Sequence, residues 1–121
     1  MIVAGFGARA SATTTALHAA LRLAVQGCQP IAALAAPDDR AALLTELADL
    51  LNVPIIALHP QALSEIVTPT RSSVSLHHRG TGSVAEACAL AAAGPGARLL
   101  ATRHIAPDRT ATCAIAQGFL S

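Results

Sequence analysis

Short apolar runs alternate with longer amphipathic segments along this chain, the pattern of a protein in which strands and helices follow one another. The apolar runs that have the length of buried strands are residues 2–6, 31–35, 55–58, 97–102 and 111–115. Apolar positions at helical spacing within residues 17–24 predict a first helix. Ser11 or Thr13 can cap this helix, which continues to about Gln26.

A second helix is predicted between the next two strands. Pro37-Asp38-Asp39 marks its start, because acidic residues suit the positive end of a helix, and Asn52-Val53-Pro54 ends it. Its buried side is expected to consist of Leu43, Leu44, Leu47 and Leu51. Residues 61–67 predict a short third helix, whereas residues 73–78 fit either one helical turn or a strand fragment.

The central stretch, residues 80–94, carries the strongest local signal. Ser83 followed by Glu86 is a capping box, in which the serine hydroxyl accepts from the Glu86 N–H and the carboxylate reaches back to the Ser83 N–H. Gly94 suits a left-handed position after the last turn, and Pro95 prevents the helix from continuing. Nearly all side chains between these ends are small, so we expect a buried helix that lies closely against a sheet.

These elements predict an α/β fold, a three-layer α/β/α sandwich with a mostly parallel, mixed sheet of about five strands. The last two strands are separated only by a short turn around Pro107-Asp108, so we expect them to form an antiparallel pair at the edge of the sheet. No composition shift or linker divides residues 1–121, which we interpret as a single domain.

Composition narrows the possible functions. The net charge is +1, with two Phe and no Trp or Tyr, which argues against a nucleic-acid partner that stacks on aromatic rings or is drawn in by charge. No apolar run is long enough for a membrane span, and no basic leader follows Met1. Cys28, Cys88 and Cys113 are widely spaced, so we interpret them as reduced core thiols in a cytoplasmic protein with no metal site.

Two glycine-containing turns are the candidate ligand contacts, because ligands of open α/β sheets bind beyond the carboxyl ends of strands and beside helix N-termini. One runs from Gly5 through Gly7 to Arg9 and Ser11, and the other is Gly80-Thr81-Gly82-Ser83. Arg9, just before a helix start, is unfavourably placed unless it shares an anion. The alternative is that both glycine pairs only permit tight turns and that Arg9 is a solvated surface charge.

Other polar residues could complete such a site. Arg103 with His104, and Arg71, could add cationic groups, although each alone fits a surface charge equally well. Glu86 is a capping residue first and a weak candidate for acid–base catalysis second. His77 and His78 are adjacent and would point in different directions, which disfavours joint metal ligation.

The chain resembles the CobE family of cobalamin-biosynthesis proteins, which is similar to the C-terminal domain of CbiG. The resemblance is carried by VAGFGARAS at residues 3–11, by GTGSVAEACAL at residues 80–90, and by Arg103 followed by TCAIA at residues 112–116. The family usually has Lys where Arg103 stands. The resemblance implies a role in corrin ring assembly, without a cofactor, as an accessory or carrier protein. Its implied partners are a precorrin or corrinoid intermediate and other enzymes of the pathway.

The expected ligand-binding residues are Gly5, Gly7, Arg9, Ser11, Gly80, Thr81, Gly82, Ser83, Glu86 and Arg103. Two alternatives stay open at this point. The resemblance to CbiG admits a hydrolase acting on a precorrin lactone, and the glycine turns admit a nucleotide-binding module. The second is weakened because Ala35-Ala36-Pro37 stands where a ribose-binding acid would end the second strand.

Overall fold

A computed structural model describes residues 1–25, 30–64, 66 and 83–118. Helices and strands alternate along the described chain as expected. The elements are β1 (Ile2–Ala8), α1 (Thr14–Val25), β2 (Ala33–Pro37), a 3-10 helix (Ala41–Leu44), α2 (Thr45–Leu51), β3 (Ile55–Leu58), α3 (Pro60–Ser64), α4 (Val84–Ala93), β4 (Arg98–Ile105) and β5 (Ala111–Gln117).

The five strands form one mixed sheet in the order β3-β2-β1-β5-β4. β1 pairs in parallel with β2, and β2 with β3, whereas β5 is antiparallel to both β1 and β4. The predicted fold class and the predicted antiparallel pair of the last two strands are therefore confirmed. The reversed strand lies second from the edge, beside β1, and β4 forms the edge itself.

Helices cover both faces of the sheet, which gives the three layers. Alternate residues of β1 separate the two cores, as the two-residue repeat of a strand requires. Ile2, Ala4 and Phe6 face α1 and α2, where the apolar side of α1 is fully buried as predicted. Val3 faces the other way and packs with Cys88 of α4 and the side chain of Leu63 of α3.

The contact between α4 and β1 is unusually close because Gly5 has no side chain. A Cβ atom at Gly5 would lie 2.3 Å from the carbonyl oxygen of Ala85 and 2.3 Å from the amide nitrogen of Ala89. The backbone of the helix therefore rests directly on the strand, and α4 is buried as its small side chains predicted.

Several predicted boundaries need correction. Gly5 and Gly7 are strand residues, because β1 continues to Ala8 instead of turning after residue 6. β2 lies two residues later than predicted, at Ala33–Pro37, and the last two strands extend to Ile105 and Gln117. The pairing of each strand with its neighbours determines these limits, and that pairing is invisible to a local apolar run.

The caps and the second helix also differ in detail. Thr13 caps α1, since its Oγ1 accepts from the Ala16 N–H at 3.2 Å, and exposed Ser11 does not take that role. The predicted second helix is a turn over residues 38–40, then the 3-10 helix, then α2. Asn52 ends α2 as predicted, and it does so in the left-handed conformation, whereas Leu51 is 36% exposed instead of buried.

Candidate functional site

The start of α4 has the predicted serine cap. Ser83 has extended backbone angles, is buried, and its Oγ accepts from the Glu86 N–H at 3.4 Å. The helix ends at Gly94, whose φ of 97° is positive as expected for a glycine stop. Its ψ of 178° lies outside the left-handed helical region, so the predicted left-handed stop is wrong in that respect.

The N-terminus of α4 stands over the carboxyl end of β1. A Cβ atom at Gly7 would lie 3.3 Å from the Cβ of Val84 and 3.6 Å from the amide nitrogen of Ala85, both in the first turn of the helix. Thr112 of β5 donates its hydroxyl to the Gly7 carbonyl at 3.4 Å on the same side. Gly7 therefore lies beneath the helix end whose free N–H groups and dipole favour anions.

Arg9 follows immediately beyond this point. Its amide N–H donates to the Thr110 carbonyl at 2.8 Å, which continues the pairing with β5 past the end of β1. The Arg9 carbonyl accepts from the Ala12 N–H at 3.0 Å and so turns the chain toward α1. Arg9 is exposed and lies two residues beyond Gly7, at the same edge of the sheet as the start of α4.

The backbone of Arg103 is held against that same helix end. Its amide N–H donates to Oε2 of Glu86 at 2.8 Å, and Glu86 is in the first turn of α4 and fully buried. β4 runs in the same direction as β1, because both are antiparallel to β5, so Arg103 lies near the end of its strand at the carboxyl edge of β1. We name the group of Gly7, Arg9, Ser83 and Arg103 the arginine corner.

Arg40 is a neighbour of this corner that sequence reasoning did not identify. Its Nε donates to the Ala8 carbonyl at 3.0 Å, directly before Arg9, and its guanidinium lies 3.6 Å from the carboxylate of Asp39. The sequence feature that could have identified Arg40 is its place soon after the end of the second strand. The Asp38-Asp39 pair before it indicates only the start of a helix.

Both charged residues of the arginine corner, Arg9 and Arg103, are cationic. Among the described residues Arg40 and Asp39 form the only ion pair, so neither the Arg9 guanidinium nor the Arg103 guanidinium has a carboxylate partner there. The carboxylate of Asp108, in the nearby turn before β5, accepts hydrogen bonds from Thr110 of the same turn. The backbone N–H of Thr110 and then its hydroxyl lower the pKa of the Asp108 carboxyl.

Some predicted site residues are not brought to the corner. Gly5 lies in the middle of β1, and its missing side chain is accounted for by the packing of α4. His104 pairs with Cys113, which belongs to the core on the α1 side, so His104 is on the opposite face from α4. Gly80, Thr81 and Gly82 lie outside the described residues, as do Arg71, His77 and His78.

The described residues also bear on two other kinds of site, a metal centre and a membrane span. No three of their His, Cys, Asp and Glu side chains gather where they could hold a metal ion. None of the helices that the structure describes combines the length and the apolar character needed to cross a bilayer. Cys88 and Cys113 are buried in the core, as expected, and burial raises the pKa of the Cys113 thiol.

Comparison with known proteins gives consistent results. Residues 2–116 match the family described as Cobalamin synthesis G C-terminus. The chain is similar to the crystal structure of CobE, a protein from the cobalamin (vitamin B12) biosynthetic pathway, with 34% identity, 96% of this chain and 89% of that chain covered, and a TM-score of 0.84. It is also similar to cobalamin biosynthesis protein chiG from Agrobacterium tumefaciens str. C58, with 35% identity, 98% and 99% of the two chains covered, and a TM-score of 0.72.

A third structure shares the fold at lower identity. It is a putative cobalamin biosynthesis protein G homolog from Sulfolobus solfataricus, with 19% identity and a TM-score of 0.74 over 95% of this chain. The chain spans 36% of the length of that protein. No protein of curated function matches the chain significantly.

Proposed function

Because the chain belongs to the family of the cobalamin synthesis G C-terminus and is a protein of the cobalamin biosynthesis pathway, we propose that it binds a precorrin-type intermediate at the arginine corner. In this proposal it acts as an accessory or carrier protein that holds the intermediate and passes it between enzymes of corrin ring assembly.

The supporting observation is the convergence of three anion-binding groups at one edge of the sheet. The N-terminus of α4 over Gly7, the adjoining Arg9, and Arg103 tied to the first turn of α4 offer N–H donors and positive charge together. Precorrins carry several carboxylate arms around an apolar macrocycle. Bidentate guanidinium contacts and helix N–H groups are the donors that suit such arms.

The hydrolase alternative has less support. A general acid or base must come within hydrogen-bond reach of the substrate proton. The carboxylate of Glu86 is instead fully buried and accepts the Arg103 N–H, which favours a structural role for this residue. The nucleotide-binding alternative has less support because β1 continues to Ala8, so Gly5 and Gly7 are strand residues and do not form the glycine turn that would hold a pyrophosphate.

Isothermal titration calorimetry of the purified protein with hydrogenobyrinic acid, at low and at high salt, tests the proposal. We expect a dissociation constant in the micromolar range or below that rises with salt, since exposed charges are screened. Arg9→Ala and Arg103→Ala should each weaken binding about tenfold, the effect of losing one charge-assisted hydrogen bond.

Arg98→Ala is the matched control for these variants. Arg98 lies on the same strand as Arg103 but at its other end, where its guanidinium donates to the Gln117 side chain at 3.4 Å. Its removal changes net charge equally and should leave the affinity unchanged. Absence of micromolar binding, or an equal loss in Arg98→Ala, would refute the proposed site. Thermal protection by NAD without protection by the corrinoid would favour the nucleotide-binding module instead.

A further inference from the structure

Glu86 is buried more deeply than helix capping alone requires. Its side chain is fully buried between α4 and the sheet, and its Oε2 accepts the Arg103 N–H from 17 residues away in sequence. A carboxylate is costly to bury unless hydrogen bonds compensate for its lost hydration. The position of this residue therefore points to a task at β4 in addition to its place in the first turn of the helix.

The pairing of β4 with β5 is irregular where Glu86 makes this contact. Ala101 pairs with Ile115, and the next recorded pair is His104 with Cys113, so β4 advances three residues while β5 advances two. Thr102 and Arg103 therefore share one partner position, which is a β-bulge. A bulge interrupts the regular ladder and re-aims the side chains at its residues.

Side-chain hydrogen bonds hold this bulge at both of its residues. Glu86 accepts from the Arg103 N–H at 2.8 Å, and Nδ1 of His104 lies 2.8 Å from the Thr102 carbonyl oxygen. The backbone that carries the Arg103 guanidinium is thus tied to the first turn of α4, the helix end that forms the arginine corner.

We propose that Glu86 is a positioning residue for Arg103: its buried carboxylate fixes the bulge of β4, so that the Arg103 guanidinium is presented to an acidic ligand together with the N-terminus of α4. The inference rests on the proposed function, since it concerns the same site. It adds the residue that aligns the site and gives a reason for a fully buried carboxylate beside an anion-binding corner.

A double-mutant cycle tests this role. Glu86→Ala, Arg103→Ala and the double variant are titrated with hydrogenobyrinic acid, and amide hydrogen exchange of Arg103 is measured by NMR in the absence of ligand. Glu86→Ala should speed exchange at Arg103 at least about tenfold and weaken binding about tenfold, with no further loss in the Arg103→Ala background. Glu86→Gln keeps an acceptor oxygen and should retain most of the protection and affinity.

Controls separate positioning from general destabilisation. Thr13→Ala removes the cap of α1 on the other face of the sheet, so it should lower stability without changing affinity. If Glu86→Ala does not fold, Glu86→Asp replaces it in the cycle, because the shorter side chain withdraws the oxygen from the Arg103 amide. The inference would be overturned if Glu86→Ala weakened binding by the same factor in the wild type and in Arg103→Ala. It would also be overturned if Glu86→Ala left the amide hydrogen exchange of Arg103 unchanged.

The two readouts distinguish the possible failures. If the wild-type protein does not bind the corrinoid while exchange at Arg103 still depends on Glu86, the proposed function fails and the positioning role falls with it. If binding and its Arg9 dependence hold but no coupling to Glu86 is found, only the inference fails.

Discussion

Replacing Gly5 by Ala should destabilise the protein strongly, because the new methyl group has no room. Its Cβ would lie 2.3 Å from two backbone atoms of α4, while ordinary van der Waals contact begins at 3.4 Å, so the helix must retreat by about 1.1 Å (3.4 − 2.3). Neither contact atom belongs to a side chain that could rotate away. The strand and the helix must therefore separate as units.

The expected cost follows from this displacement. Overpacking a well-packed core by one methyl group costs about 1–3 kcal/mol, and a backbone-to-backbone clash belongs at the upper end. Loss of glycine's freedom in the unfolded chain offsets about 0.4–1 kcal/mol of that cost. We expect a net loss of about 2 kcal/mol in the free energy of unfolding, or about 8 °C in Tm for a chain of 121 residues.

Circular dichroism during urea and thermal unfolding measures this loss, since the chain has no Trp or Tyr for fluorescence. Gly7→Ala is the matched comparison, because Gly7 is on the same strand and face. Its Cβ would first meet Thr112 Oγ1 at 2.8 Å, a side-chain atom that can rotate, so the loss should stay below about 1 kcal/mol. If Gly5→Ala were as stable as the wild type or as Gly7→Ala, the close-approach reasoning would be wrong.

Two further predictions concern the cap of α1 and the buried thiol of β5. Thr13→Ala should cost about 1 kcal/mol because it removes the N-cap, whereas Ser11→Ala should change stability by less than about 0.5 kcal/mol, both measured by urea unfolding. Burial raises the pKa of Cys113 above its usual 9.0, so unfolding releases a proton at alkaline pH. The contribution of the Cys113 thiol to the free energy of unfolding is therefore fully present below pH 9 and is lost as the pH rises above 9. Urea unfolding of Cys113→Ala between pH 8 and pH 10.5 should show a smaller decrease in this free energy than the wild type. An equal decrease in both proteins would contradict the role of Cys113.

Local signals in the sequence predicted both ends of α4 and the end of α2. The bounds of α4 follow from Ser83 and Gly94, and the left-handed Asn52 ends α2, because caps and stops act within a few residues. The strand Ile55–Leu58 was also predicted correctly from its apolar run. The resemblance of the chain to the CobE family gave the pathway, which the comparisons confirm.

Features that depend on distant partners were missed or misplaced. The sequence predicts a turn at Gly5, because the partners that place this residue within a strand, Ala85 and Ala89, are far away in sequence. The limits of β2 could not be read from a run of alanines, since parallel pairing with β1 and β3 determines them. The Glu86–Arg103 hydrogen bond required both the docking of α4 and the bulge of β4, neither of which leaves a local pattern.

The place of β5 in the sheet has a consequence for how this protein acquires its structure. β5 is the last of the described strands in sequence, yet it lies between β1 and β4, and it pairs with a strand whose residues precede it by about a hundred positions. Such distant pairing slows folding, because a long loop of chain must be closed before the contact is made. During synthesis β1 therefore keeps one unpaired edge until residues 111–117 leave the ribosome, and a nascent chain stalled before them should be sensitive to proteases and retained by chaperones.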